Sequence, residues 1–555
     1  MSDTSLATRR KAQMFPKLSP SEMERARRFG RPVVFEIGDD LFSAGKTAPG
    51  LFLIESGEVR ITQRDGFGGS TLIIEHGPGE FAAEVGQLSG MAALVDGRAL
   101  GSVKATLIPP ENLRALIIAE ADLGELILRA LILRRASLIE TGDGGPVLIG
   151  QAADPGMTRL TRFLTRNGYP FRVLMPEGNG AAANLMLEYA PSPEELPIVV
   201  CYDGTVMRNP TERALATALG MIGQPDTSSI YDVGIVGAGP AGLATAVYAA
   251  SEGLSVIVLE TRSFGGQAGA SARIENYFGF PTGITGQALV ARAFTQAQKF
   301  GAEMAIPATV TALDGPKEGG LNRLLLEDGK TVTARSIVIA SGARYRRPAI
   351  ADLERYESRG VWYWASPVEA HMCAGTDVIL VGGGNSAGQA AVYLAGHARS
   401  VRMMVRASGI EATMSRYLID RVASLENVQV LTRTQITALH GDASGLTAVT
   451  WSGPGEVTTA PIRNVFLFAG ADPATDWLRE SAINLDDRGF IVTGALGAQS
   501  LETSQRGVFA VGDVRSGSVK RVGGAIGEGA SVVAQIHKLL GAVAAQSPQA
   551  KTSRT

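Results

Sequence analysis

The stretch YDVGIVGAGPAGLATAVYAASEGLSVIVLE, residues 231–260, decides the architecture of the larger part of this chain. It reads as an apolar strand, a glycine turn, an alanine-rich helix and a second apolar strand. Gly237, Gly239 and Gly242 form a Gly-x-Gly-x-x-Gly turn, Pro240 and Ala241 open the helix, and Glu260 closes the second strand 23 residues beyond Gly237. Each part has a physical task. The glycines allow the tight turn, let backbone N–H groups approach a pyrophosphate, and let helix and strand pack closely; the acid takes ribose hydroxyls.

A second unit of the same kind runs from 377 to 408, DVILVGGGNSAGQAAVYLAGHARSVRMMVRAS. Gly382, Gly384 and Ala387 fill the pattern, with Asn385 and Ser386 at the start of its helix. The position of the ribose-binding acid holds Val405, and Arg406 follows it. A missing acid beside an arginine suits a 2′-phosphate, so NADPH is expected in preference to NADH. Two such units about 145 residues apart imply a protein of two dinucleotides, FAD in the first and a pyridine nucleotide in the second.

Connecting motifs agree. SIVIASGARYRRP carries Ser341-Gly342 at a strand end, NVFLFAGADPATDWL repeats that turn after the second unit, and GVFAVGDVRSG presents Gly512-Asp513. SFGGQAGASARIENYFGFPTGITG, residues 263–286, contains Gly265, Gly266 and Gln267, then Glu275, Asn276 and Gly279-Phe280-Pro281. On these motifs residues 230–545 resemble the low-molecular-weight thioredoxin reductase family. That resemblance implies an FAD domain with an NADP domain inserted into it, a homodimer, and Asp513 as the ligand of the FAD ribityl chain. It also places Gly266, Gln267 and Asn276 on the flavin side and Gly342 beside FAD. No metal is implied.

Two departures stand out. The family's Cys-x-x-Cys falls on Ala365-Ser366-Pro367-Val368 within GVWYWASPVEAHMCAG, residues 360–375, so both redox cysteines are absent. The chain has 2 cysteines in all, Cys201 and Cys373, and a lone thiol completes no intramolecular disulfide. Where the family has Arg-Gln beside the flavin, SVKRVGGAIGEGA offers Lys520-Arg521, which is expected to place extra positive charge near the isoalloxazine.

The first 224 residues are of another kind. Residues 30–110 alternate short apolar runs with glycine turns, as a small β-barrel does, and PPENLRALIIAEADLGELILRALILRRASLIE follows with helical spacing. LFLIESGEVRI and GPGEFAAEVGQLSG are similar to the cyclic-nucleotide-binding domain. In that family a Phe-Gly-Glu cassette holds the ribose, and an arginine about nine residues on holds the cyclic phosphate. Phe81 and Glu84 match, but Ala83 replaces the glycine, Ala93 stands in the arginine position, and Arg98 requires a re-routed loop. A phosphate without its guanidinium loses its strongest contact, which argues against cyclic-nucleotide binding. Residues 146–222 read β-α-β-α-β-β-α, the order of the thioredoxin and glutaredoxin fold, with Leu196-Pro197 where such folds place a cis-proline. Their Cys-x-x-Cys belongs in QAADPGMTRL, which has no cysteine, so an adaptor or docking platform is expected, with Cys201 a buried strand residue.

The expected organisation is therefore multidomain: a cyclic-nucleotide-binding-like β-barrel with helices at 12–140 and a thioredoxin-like α/β domain without its dithiol at 145–224. Two Rossmann-like domains follow, FAD-binding at 230–346 and 469–545 and NAD(P)-binding at 347–468. Net charge is −2, which offers no electrostatic case for nucleic acid or an anionic membrane. No run of 18 apolar residues occurs and the N-terminus has no apolar signal core, so a cytoplasmic protein is expected. The expected activity is NADPH-dependent reduction of FAD, with electrons passing to an unidentified acceptor, a protein among the candidates. The alternatives are a ferredoxin- or flavodoxin–NADP-reductase-like enzyme and a non-catalytic flavin- and NADP-binding sensor or docking protein.

Overall fold

The computed structural model describes residues 6–83, 85–88, 91–151, 154–177, 180–223, 225–315, 321–442, 444–495 and 500–546. Its N-terminal part is a pair of four-stranded antiparallel sheets, flanked by helices Pro20–Arg27, Pro110–Ala119 and Ala121–Thr141. The strand Val59–Arg64 shows the reason for a two-layer packing: Val59, Ile61 and Gln63 are buried while Arg60 points outward. The helix starts and stops are chemically marked. Ser19 and Glu22 form a capping box, and Gly142 ends Ala121–Thr141 in the left-handed region at φ 73°.

Next comes a four-stranded sheet ordered Arg172–Leu174, Val147–Ile149, Ile198–Val200, Val206–Arg208, its first pair parallel and the others antiparallel. Helices Pro155–Arg166, Gly180–Tyr189 and Glu212–Ala218 accompany it, and the Leu196–Pro197 peptide is cis. This middle unit and the N-terminal sheets share one apolar cluster. Phe42, Phe52 and Ile61 of the sheets are joined there by Leu148, Leu160, Phe163 and Leu215 of the middle unit. Burial is proportional to apolar area removed from water, so a joint core ties the two together.

The third part holds a seven-stranded sheet built on Ile230–Val236. That strand lies parallel to both Val256–Leu259 and Thr331–Ile339, and Val508–Ala510 adds on beside Thr331–Ile339. Val233, Ile235, Val258 and Val338 are fully buried, as strands covered on both faces must be. A separate parallel sheet of five strands, ordered Val361–Trp362, Asn464–Leu467, Asp377–Val381, Ser400–Val405, Val428–Thr432, carries the second glycine turn. Two short antiparallel strands, Ala343–Tyr345 and Ala471–Pro473, run side by side between the two sheets. The helix Val522–Gln546 packs on Pro240–Ser251, with Val532, Val533 and Ile536 against Leu243 and Ala246. Among the described residues no helix is long and apolar enough to cross a membrane.

Candidate functional site

The two glycine turns divide their labour in the same way. A Cβ on Gly237 would lie 2.3 Å from the Ala340 carbonyl oxygen, and one on Gly242 would lie 1.9 Å from the Gly237 carbonyl oxygen. These two are glycines because the backbone packs there. A Cβ on Gly239 would meet nothing nearer than the Gly266 Cα at 3.9 Å, so its exposed side is open. The second turn repeats the arrangement: a Cβ on Gly382 would strike the Phe468 carbonyl oxygen at 2.6 Å, while one on Gly384 would meet only the Thr413 oxygen at 4.0 Å.

Each open glycine caps a helix, Gly239 before Pro240–Ser251 and Gly384 before Asn385–Ala395, and neither supplies a side-chain cap. The free N–H groups and the helix dipole therefore face the open cradle, the condition for binding a phosphate. Gly342 continues the first cradle, with nothing within 4 Å of a Cβ built on it, while Ser341 Oγ donates to the Ala474 carbonyl at 2.9 Å. The residues present thus fit two dinucleotides, each with a packed glycine, an open glycine and an uncapped helix.

Around the first turn, Glu260 accepts the Ala238 N–H at 2.9 Å and the Arg262 N–H at 3.2 Å. Burial raises its pKa, and these bonds together with the nearby Arg166 oppose the rise. A carboxylate has about four lone-pair sites, so a ribose hydroxyl still finds an acceptor. Gly266 lies against Gly239, and Gln267 Nε2 donates to the Ala343 carbonyl. Asn276 is exposed. Its neighbour Glu275 accepts two bonds from Arg421 of the second unit, at 2.7 and 2.8 Å.

At the same carboxyl end of the sheet, where a Cβ on Gly512 would lie 2.9 Å from Ala241 Cβ, the Gly512 N–H donates to Glu528, which also holds Arg515. Burial raises the Asp513 pKa. Lys520 donates to the Asp513 carbonyl at 2.5 Å and to Ser518 Oγ at 2.9 Å, with its ammonium 4.4 Å from the Phe490 ring centre. That placement is local: a flexible lysine seven residues from Asp513 satisfies the nearest carbonyl, and its next neighbour Arg521 is exposed.

In the second unit Asn385 accepts the Ser415 N–H at 2.7 Å, Ala387 is buried, and burial raises the Tyr345 pKa while the nearby Ser386 side chain opposes the rise. Arg406 is exposed just past the end of Ser400–Val405. Between the two turns lies a narrow cleft of about 30 Å³ whose lining includes Gln267, Tyr345, Trp364, Ala365, Ser386 and Phe468. Ala365 is buried and Ser366 caps the helix Pro367–Met372 by a capping box with Glu369. Both cysteines are free and buried. Burial pushes each thiol up to about 12, and Cys373 Sγ donates to the Glu369 carbonyl at 2.9 Å.

One group of residues has no counterpart in the motifs. Arg162 of the middle unit donates from Nε to Glu369 at 2.7 Å, and its guanidinium carbon lies 5.1 and 5.0 Å from the ring centres of Trp362 and Trp364. Glu369 is fully buried. Arg166 Nη2 donates to the Gly266 carbonyl at 2.5 Å, and Arg262 is held by Glu212 at 2.8 and 2.5 Å. The available signal was the spacing of Arg159, Arg162 and Arg166, which puts three guanidinium groups on one helix face.

In the N-terminal sheets Ala93 is buried, Arg98 pairs with Asp40 at 2.8 Å, and Glu84 lies outside the described residues. The carbonyls of Phe81 and Ala83 are taken by Arg134, at 3.1 and 2.9 Å. Among the described residues no group of three or more His, Cys, Asp or Glu side chains is placed to hold a metal ion.

A parallel sheet with an open glycine turn, repeated on a second parallel sheet across a shared cleft, defines a protein built for two dinucleotides. Residues 231–529 match the pyridine nucleotide-disulphide oxidoreductase family, and the chain belongs to it. Residues 32–120 match the cyclic nucleotide-binding domain. The thioredoxin reductase of Listeria monocytogenes is 33% identical over 307 residues, covering 54% of this chain and 91% of its own length. The F component of the alkyl hydroperoxide reductase of Escherichia coli is 32% identical over 303 residues, 54% of this chain, and there this chain spans only 56% of the relative's length. The crystal structure of Lactococcus lactis thioredoxin reductase (FR conformation) aligns with a TM-score of 0.52 at 30% identity, over 56% of this chain and 99% of that one.

Proposed function

We propose that the chain is an FAD-dependent NADPH oxidoreductase of thioredoxin reductase type that lacks the redox dithiol and delivers electrons to an acceptor outside itself. The observation that carries this reading is the pair of open glycine cradles on either side of one cleft, with buried Ala365 where the family places its first cysteine. FAD, when bound, supplies the two-electron chemistry between a nicotinamide and the acceptor. The chain's own residues hold and orient. Gly237, Gly239, Gly242, Pro240 and Ala241 cradle the FAD pyrophosphate, Glu260 its ribose, and Gly266, Gln267, Asn276, Gly342, Gly512 and Asp513 its flavin half. Gly382, Gly384, Asn385, Ser386 and Ala387 cradle NADPH, whose 2′-phosphate meets Arg406. Lys520 and Arg521 act on this site through Asp513 and the surrounding field.

In the same reading the NADPH-binding segment is an insertion into the FAD-binding domain, supported by Val508–Ala510 completing a sheet begun at Ile230–Val236. The middle unit is a thioredoxin-like fold without its dithiol, supported by its strand order and by the position of its cis-proline. The N-terminal domain keeps the barrel without cyclic nucleotide, supported by Arg134 occupying the carbonyls of Phe81 and Ala83. A homodimer is the assembly this family resemblance favours.

The test is anaerobic stopped-flow mixing of the flavin-loaded protein with NADPH and, separately, NADH. Bleaching of the flavin band, faster with NADPH, is expected, together with little turnover of thioredoxin in a coupled assay. Absence of bleaching with both nucleotides sinks the enzyme reading and leaves a binding or docking role.

A further inference from the structure

The helix Pro155–Arg166 buries Met157, Leu160, Phe163 and Leu164, all of them in the core shared with the N-terminal sheets. Its arginines Arg159, Arg162 and Arg166 leave that core on another side. Arg166, the last residue of the helix, arrives at the first glycine turn. Its Nη2 donates to the Gly266 carbonyl at 2.5 Å, and a Cβ on Gly266 would lie 3.1 Å from the Gly239 Cα. Arg166 is also close enough to Glu260 to oppose the rise in that carboxyl's pKa. The guanidinium therefore sits over the turn whose open side is Gly239.

The docking of this helix end is accounted for without the Arg166 side chain. Gln287 Nε2 donates to the Thr165 and Arg166 carbonyls at 3.3 Å each, Asn167 Nδ2 donates to the Arg262 carbonyl at 3.1 Å, and Arg262 is forked onto Glu212. Yet Arg166 is only half-buried, Nε is enclosed by the protein, and Nη1 makes no hydrogen bond to any described residue, which leaves it to take an acceptor from the cradle. A buried N–H on a charged group is costly to leave unpaired and calls for an acceptor. Arginine's five donors suit a phosphate oxygen, and the uncapped helix Pro240–Ser251 points its N–H groups at the same cradle.

We propose that Arg166 is a ligand of the dinucleotide pyrophosphate in the first cradle, so that the middle unit completes a site otherwise built by residues beyond 230. The proposal rests on the reading of that cradle as the FAD site. It makes flavin retention depend on the docked middle unit, which supplies one cationic contact from a different part of the chain.

The experiment uses full-length flavoprotein and the variants R166M, R166K and Q287A, the last touching only the docking contacts. Flavin release on dilution is followed by the recovery of FAD fluorescence at several salt concentrations, and the bound FAD is examined by phosphorus NMR. R166M is expected to release FAD about 10–100-fold faster, the loss of a charge-assisted phosphate contact. Its release should respond less to salt, and at least one pyrophosphate resonance should shift. R166K should recover part of the retention, and Q287A should match the parent in both salt response and phosphorus spectrum. If R166M and Q287A lose flavin equally, with the parent's salt dependence and unshifted resonances, Arg166 is a docking contact and the proposal fails. If the parent takes up no FAD from a reconstitution mixture, the reading of the first cradle fails, and the proposal with it.

Discussion

Replacing Arg162 by methionine removes one half of a buried ion pair and leaves the other half in place. Glu369 is fully buried, and the pair spans 207 residues of sequence between the middle unit and the second dinucleotide sheet. Breaking a buried pair from one side costs about 3–5 kcal/mol, because the remaining charge is left uncompensated. The lower end applies here. Glu369 keeps the Ser366 N–H at 2.9 Å, the Ser366 hydroxyl and the Trp364 indole N–H at 3.3 Å. Methionine retains apolar contact with Trp362 and Trp364 while forfeiting cation–π attraction of about 0.5–2 kcal/mol. The expected weakening of docking is thus about 3 kcal/mol, or roughly a hundredfold in the opening equilibrium. Hydrogen exchange of the amides in Pro155–Arg166 and Pro367–Met372 reads it directly. The double variant R162M/E369Q, which removes the stranded charge, should recover at least about 1 kcal/mol of that loss. Unchanged protection in R162M, or no recovery in the double variant, refutes the argument that this pair holds the units together.

Four further outcomes are expected. G242A places a methyl group 1.9 Å from the Gly237 oxygen and should cost about 1–3 kcal/mol in calorimetry; G239A meets open space, so it should fold normally and lose flavin instead. With both thiols pushed up to about 12 by burial, neither Cys201 nor Cys373 should react with a maleimide at pH 8 until the protein is denatured. The double variant C201S/C373S should keep NADPH-driven flavin bleaching within about twofold, since no electron is routed through either sulfur. Burial raises the folded-state pKa of Asp513, so this group favours the folded state at low pH and loses that contribution as pH rises through the folded value. D513N in the flavin-free protein should therefore gain melting temperature over the parent near pH 7, with the gain shrinking toward pH 4; a gain that grows on acidification contradicts the burial argument.

The glycine turns, the strand and helix around each, and the absence of a dithiol were legible residue by residue. Steric limits on a turn act between near neighbours, and a Cβ that would strike Ala340 or Phe468 leaves its mark as a glycine. The order of strands and helices along the middle unit was legible for the same reason, since apolar runs and turns alternate locally. The hydrogen-bond partner of Lys520 was not legible, because it is a backbone carbonyl, which no side-chain pattern announces.

Residue spacing alone announces two glycine turns, each set between an apolar strand and a helix, and two cysteines, Cys201 and Cys373, that form no Cys-x-x-Cys. That Arg162 meets Glu369, Arg166 reaches Gly266 and Glu275 meets Arg421 follows only from how distant segments pack. The difference lies in the range of the forces. Backbone sterics and periodic burial are written within a few residues, whereas an ion pair between distant segments forms only after apolar cores have packed and set which helix face meets which sheet.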